Sequence, residues 1–239
     1  MRHRSSLQGV MAWLGGLDLV LLLAVLAMVA GLLGFLAIAD TVMEGKTQRI
    51  DERIVRSLRD PADPSDPMGP HWLEEVGRDL TALDGVAVLG LVTMAVVGFL
   101  LIRRTYHAVG LVIGATVGGL VLSLLLKSAV SRPRPELVPH LSAVYTSSFP
   151  SGHSMLSAIV YLTLGALLAR LFEGPAIKLY IILTAMLLTL LVGVSRVDMG
   201  VHDPTDVLAG WSVGLAWAIL CWLAARRLQR QGKVEGPAE

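Results

Sequence analysis

The chain has 239 residues, 54% of them hydrophobic and 16% charged, with a formal net charge of +1 and a mean hydropathy of +0.66. That composition excludes an ordinary soluble domain and puts a membrane protein first. The net charge itself says nothing about nucleic acid, but no basic run or aromatic-basic face occurs and no nucleic-acid partner is expected; the single cysteine, Cys221, excludes an internal disulfide.

Six uncharged apolar windows follow one another at 19–39, 85–102, 108–126, 154–169, 179–195 and 207–225. A helix needs about 20 apolar residues, roughly 17–25, to cross the hydrocarbon core. Five windows meet that length, and the fourth does once His153 and 171–172 join its helix. Lipid cannot satisfy exposed backbone polar groups, so each span is helical. The fold class expected is an all-α integral membrane protein: a six-transmembrane-helix bundle with an interfacial helical segment between spans one and two. One membrane-embedded domain covers 1–239.

The first window follows Arg2 and Arg4. Its Ala37-Ile38-Ala39 resembles a cleavage site, but the apolar run is about twice the usual 7–15 residues of a signal core, so it reads as a retained span. The segment 40–84 comes next. Ile50, Ile54, Val55 and Leu58 share one helical face there, as do Trp72, Val76 and Leu80, and the Pro- and Asp-rich stretch 60–70 reads as a loop. Two amphipathic pieces of this kind suit the membrane interface. They lid or guide a substrate, or they simply connect two spans.

The remaining loops set the topology. Arg2 and Arg4, then Arg103 and Arg104, then Arg170 and Lys178, then Arg226, Arg227, Arg230 and Lys233 all fall on one side of a six-span arrangement. The positive-inside rule makes that side cytoplasmic. Both termini are then cytoplasmic, and 40–84, 127–152 and 196–206 face the other way. Compactness and the lack of sorting features point to a bacterial cytoplasmic (inner) membrane.

Polar residues concentrate at the outer ends of spans three to six. "KSAVSRPRP" runs from Lys127 to Pro135, "PSGH" from Pro150 to His153, and "SRVDMGVHDPTD" from Ser195 to Asp206. The six-span layout permits all three to meet at one end of the bundle. Together they offer Lys127, Arg132, Arg134 and Arg196 as cations, His153 and His202 as proton carriers or nucleophiles, and Asp206 close behind His202. Several cations around one pocket suit an anion with several oxygens, most simply a phosphate. Taken singly, Lys127 reads as a snorkelling side chain and Arg196 as a span-end anchor.

Ser151 and Gly152 at a helix start read as a cap, or as an anion site approached closely by a ligand. In "HDPTD", Asp203 reads as a helix cap and Pro204 as the first helical residue, which puts Asp206 within reach of His202. A carboxylate on one ring nitrogen fixes the tautomer and makes the other more basic, which turns a histidine into a nucleophile. His153, His202, Asp198, Asp203 and Asp206 are possible metal ligands. The clustered cations would repel a dication, however, and no HExxH or CxxC pattern occurs. Neither a metal nor another cofactor is expected.

These motifs, in this order, resemble the type-2 phosphatidic acid phosphatase superfamily of membrane lipid phosphatases. Lys127 to Arg134-Pro135 matches its Lys, six residues, Arg-Pro; Pro150 to His153 matches its Pro-Ser-Gly-His; Ser195-Arg196, His202 and Asp206 match its Ser-Arg, five residues, His, three residues, Asp. The motif region is 127–206, about a third of the chain.

The resemblance implies that His202 attacks phosphorus and forms a phosphohistidine, that Asp206 orients it, and that His153 protonates the leaving group and then activates water. It further implies that Lys127, Arg134, Ser151, Gly152 and Arg196 bind the phosphoryl oxygens without a metal. Arg132 lies outside the motif positions and is at most a helper. The substrate implied is a lipid phosphate or pyrophosphate (polyprenyl pyrophosphate, phosphatidylglycerol phosphate or phosphatidic acid), met among membrane lipids at the extracytoplasmic face. The alternative is a protein that binds or moves lipid phosphates without cleaving them. Gly114 and Gly118, and Gly210 and Gly214, have the spacing that lets helices pack closely, within one bundle or between subunits, so the oligomeric state stays open.

Overall fold

A computed structural model describes residues 19–63, 66–130, 132 and 147–230. Among the described residues eight helices occur: α1 Leu19–Met43, α2 Gln48–Ser57, α3 His71–Ala82, α4 Val86–Ile102, α5 Tyr106–Ala129, α6 Gly152–Arg170, α7 Pro175–Asp198 and α8 Pro204–Arg230. The chain is an all-helical, multi-pass membrane protein. Five helices (α1, α5, α6, α7 and α8) are long and apolar enough to cross a membrane. At 17 residues, α4 is roughly 26 Å long, just short of the hydrocarbon thickness. Taken with α3, from which it bends by 44°, it makes a sixth candidate span.

The sequence explains which helices sit inside. In lipid, apolar burial drives little association, and close backbone approach takes its place. A Cβ at Gly210 of α8 would stand 2.6 Å from the Ser151 carbonyl and 3.1 Å from Ser154 Cβ. One at Gly214 would stand 2.7 Å from both Ala158 Cβ and the Met155 carbonyl. This glycine pair therefore packs within the bundle, where it seats α8 directly on α6. Gly118 of α5 serves the same purpose against Trp217, whose ring would lie 2.6 Å from an added Cβ; at Gly114 nothing lies within 4 Å.

α6 is flanked by α5, α7 and α8, α1 lies along α8, and α3 packs on α7. The core beneath the polar end joins Phe35, Ala115, Phe149, Met155, Ile159, Ala209 and Val213, with the Phe35 and Phe149 rings stacked 5.9 Å apart. Cys221 is buried in the same cluster, as a small apolar side chain would be.

The segment between α1 and α4 is tied to the bundle by polar contacts. Thr81 Oγ1 lies 2.8 Å from Ser195 Oγ, and Arg59 donates to the Asp198 carbonyl at 2.6 Å. The inner and outer faces of α2 differ from the sequence reading. Val55 is fully buried, packing with Val197 and Val207, and Leu58 backs it. Ile50 and Ile54, by contrast, are exposed. The inward face of α2 carries Asp51 and Val55, continued by Leu58 at its end, and the two isoleucines face outward.

Candidate active site

The three polar segments do meet at one end of the bundle, held there by backbone and side-chain hydrogen bonds. Ser151 N–H donates to the Asp206 carbonyl at 2.9 Å, which joins the start of α6 to the first turn of α8. The end of α5 closes on the same point. A Cβ on Gly152 would lie 3.1 Å from Lys127 Cε and 3.3 Å from Ser123 Oγ, so the bare glycine is what lets the lysine stem lie against the helix start. Lys127 Nζ donates to the Ser147 carbonyl at 2.8 Å.

Just before that helix start, the chain on either side of 133–146 is pinned together. Ser148 N–H donates to the Arg132 carbonyl at 3.0 Å, and Ser147 Oγ donates to the Val130 carbonyl at 2.7 Å. Ser151 caps α6, its hydroxyl accepting from Ser154 N–H at 3.3 Å and from the Ser154 hydroxyl at 2.9 Å. The N–H groups of a helix's first turn are the type of donor set that suits an anion. His153 is the second residue of α6 and half-buried, at the surface of the same turn.

His202 and Asp206 are both fully buried. His202 Nδ1 lies 3.4 Å from Asp206 Oδ2, a long contact of the kind that tightens only when a site is loaded. The contact places Nδ1 on the Asp206 side of the ring. Asp206 Oδ2 also accepts from Asp203 N–H at 3.1 Å. Arg196, buried in the last turn of α7, is joined to this turn through its carbonyl, which accepts from Val201 N–H at 3.3 Å. Asp84, buried at the α3–α4 break, is within electrostatic range of the Arg196 guanidinium. Arg134 lies outside the described residues.

Two residues carry more of the site than the motifs suggested. Arg132 reaches Asp206 Oδ1 at 2.7 Å with Nη1, and Asp51 Oδ2 and Asp203 Oδ2 at 2.9 Å each with Nη2. Its Nη1 also donates to Thr205 Oγ1 at 2.9 Å. The guanidinium fills the space between the three carboxylates.

Burial works against the Arg132 charge, but Asp206, Asp203 and Asp51 outweigh it and hold the group above its ordinary range. Burial pushes the Asp203 carboxyl up to about 7. Arg132, shared three ways, pulls it back only in part, and the neighbouring acids push it further up.

Asp203 caps α8 as the sequence suggested, its carbonyl accepting from Asp206 and Val207 N–H at 3.0 and 3.3 Å, but its carboxylate turns to Arg132. Asp51 takes that side chain's place from another helix, accepting from Thr205 N–H at 3.1 Å and from Thr205 Oγ1 at 2.7 Å. The signal for Asp51 was available: it precedes Val55 by four residues and Leu58 by seven, a carboxylate on a buried stripe.

This arrangement has known counterparts. A sequence model described as the PAP2 superfamily matches residues 105–230. Phosphatidylglycerophosphatase B of Bacillus subtilis (strain 168) is 33% identical over 189 residues, 76% of this chain and 86% of that protein. Lipid phosphate phosphatase 2 of Arabidopsis thaliana is 32% identical over 147 residues, 49% of this chain and half of the plant protein. Among solved structures, the transmembrane PAP2-type phosphatidylglycerolphosphate phosphatase from Bacillus subtilis superposes with a TM-score of 0.73 at 30% identity, covering 85% of this chain and 98% of that one. Aquifex aeolicus LpxE gives a TM-score of 0.53 at 26% identity over 72% of this chain and 92% of its own.

Proposed function

Because the chain belongs to the PAP2 superfamily and is a membrane phosphatase acting on lipid substrates, we propose that it cleaves a lipid phosphomonoester at the extracytoplasmic face, with His202 as nucleophile. One observation carries this reading: the buried His202–Asp206 pair shares a hydrogen-bonded corner with the Ser151–Gly152 helix start and Lys127. Phosphatidylglycerol phosphate is the substrate favoured, since the similarity to phosphatidylglycerophosphatase B runs over most of that enzyme. Phosphatidic acid and polyprenyl pyrophosphate offer the same phosphoryl group and are the alternatives to test.

In the first step His202 Nε2 attacks phosphorus and the bond to the lipid oxygen breaks. Asp206 holds the Nδ1 proton and stabilises the positive charge that develops on the ring. The leaving oxygen takes a proton from His153, giving free lipid alcohol and a phosphohistidine. In the second step His153 accepts a proton from water, the water oxygen attacks phosphorus, and the P–N bond breaks to release inorganic phosphate. Lys127, Arg134, Arg196, the Ser151 hydroxyl and the Gly152 N–H neutralise the phosphoryl oxygens through both steps. Phosphoryl transfer asks mainly for such positioning and charge.

The whole chain works as one domain, with 127–206 carrying the chemistry. Arg103, Arg104, Arg226 and Arg227 stand at the helix ends opposite the site, which supports an extracytoplasmic active site in a cytoplasmic membrane with both termini inside.

Phosphate release by detergent-purified protein from these three lipids, at equal surface concentration, tests the reading. Vanadate-sensitive release that favours phosphatidylglycerol phosphate and disappears in His202→Ala is expected. A fully active His202→Ala would overturn the nucleophile assignment, and no release from any of the three lipids would leave lipid-phosphate binding without turnover.

A further inference from the structure

Asp51 is 1% exposed, yet it comes from α2, well outside the three polar segments, 154 residues before Thr205. A buried carboxylate is costly unless its oxygens are satisfied, and here all its bonds go to one place. Oδ1 takes the Thr205 N–H, and Oδ2 takes the Thr205 hydroxyl and Arg132 Nη2. The carboxylate therefore caps α8 in trans, at the turn that carries Asp206.

Arg132 completes the connection. Its Nη2 is held by Asp51 and Asp203, and its Nη1 is bonded to Asp206 Oδ1. Asp206 has two oxygens, and the other, Oδ2, is the one facing His202 Nδ1. Fixing Oδ1 sets the plane of the carboxylate and so the direction of Oδ2. We propose that Asp51 and Arg132 are positioning residues that aim Asp206 at His202, which makes the segment between α1 and α4 a working part of the active site. The inference rests on the reading of His202 as nucleophile. It also separates Arg132 from the phosphate-binding cations, because its guanidinium is engaged by protein carboxylates.

A positioning pair acts on turnover, whereas a substrate ligand acts on binding. In purified Asp51→Asn and Arg132→Gln, kcat should fall about tenfold to a hundredfold, the range a misplacement near 1 Å produces. KM and competitive inhibition by inorganic phosphate should stay within about twofold. The double variant should be little worse than either single one, since both act through the same carboxylate. Thr205→Val removes one bridge to Asp51 without touching a charge. It should show the same split at smaller amplitude, and it stands in if Asp51→Asn does not fold.

Unchanged kcat in Asp51→Asn and Thr205→Val would overturn the proposal. So would a raised KM with weakened phosphate inhibition in Arg132→Gln, which would make Arg132 a substrate ligand. His202→Ala is measured alongside: if it keeps full activity the nucleophile reading fails, and if it is dead while the other variants are normal only the positioning pair fails.

Discussion

Asp203 shows how one side chain registers its surroundings. Its carboxyl titrates near 3.8 in an unfolded chain and about 7 here, because burial penalises the charge more than Arg132 rewards it. The protonated form is thus favoured in the folded protein. This contribution to stability is complete below about pH 4, declines as pH rises towards 7, and is gone above it. Melting curves in detergent should show the parent losing stability between about pH 4 and 7. Asp203→Asn should remove that part of the slope.

The motif residues themselves were legible, since Lys127, Ser151, Gly152, His202 and Asp206 stand in patterns that phosphate chemistry explains. The burial of Asp51 could be read from its stripe, but its partners and the reach of Arg132 could not, because those contacts join segments far apart in sequence. The spacing within 195–206 also suggested that Asp203 caps its own helix. It does so through its carbonyl, while a cation on another segment draws its carboxylate away, and no local pattern carries that information.

At the scale of elements, apolar windows located the spans, but the ends moved. α1 continues past the predicted end at 39 to Met43, with the Thr41 hydroxyl bonded to the Ala37 and Ile38 carbonyls. α7 runs on through Arg196 to Asp198. Polar residues at the membrane surface lose nothing by staying helical, so composition marks the hydrocarbon edge rather than the helix end.

Periodicity misread α2 for a related reason. In water an apolar stripe faces protein, whereas at a membrane it faces protein or lipid equally well, and here the stripe divides, with Val55 buried and Ile50 and Ile54 exposed. The glycines discriminate more sharply. Gly210→Ala puts a methyl into the Ser151 carbonyl, where backbone on both sides has to move. It should cost about 1–3 kcal/mol of stability and most of the activity, because α6 and α8 part at the site. Gly114→Ala meets nothing within 4 Å and should be neutral or slightly stabilising. Detergent melting temperatures with activity measured in parallel check both.

For the molecule as a whole, charge separates the two ends: arginines at the α4–α5 turn and the end of α8, and the carboxylate–histidine corner at the opposite pole. An extracytoplasmic site predicts that Met68→Cys, at an exposed position between α2 and α3, reacts with an impermeant maleimide on intact cells lacking an outer barrier. Arg103→Cys should react only after lysis, and the reverse pattern would invert the proposed topology. The trans cap on α8 also has a bearing on biosynthesis. With 154 residues between Asp51 and Thr205, a ribosome adding about 5–20 residues per second needs roughly 8–30 s to make the second after the first. During that interval the Asp51 carboxylate lacks its Thr205 partner, and for nearly all of it the histidine it will help to aim does not yet exist. On the proposed mechanism the nascent chain cannot turn over lipid phosphate until α8 has been made and seated on α6.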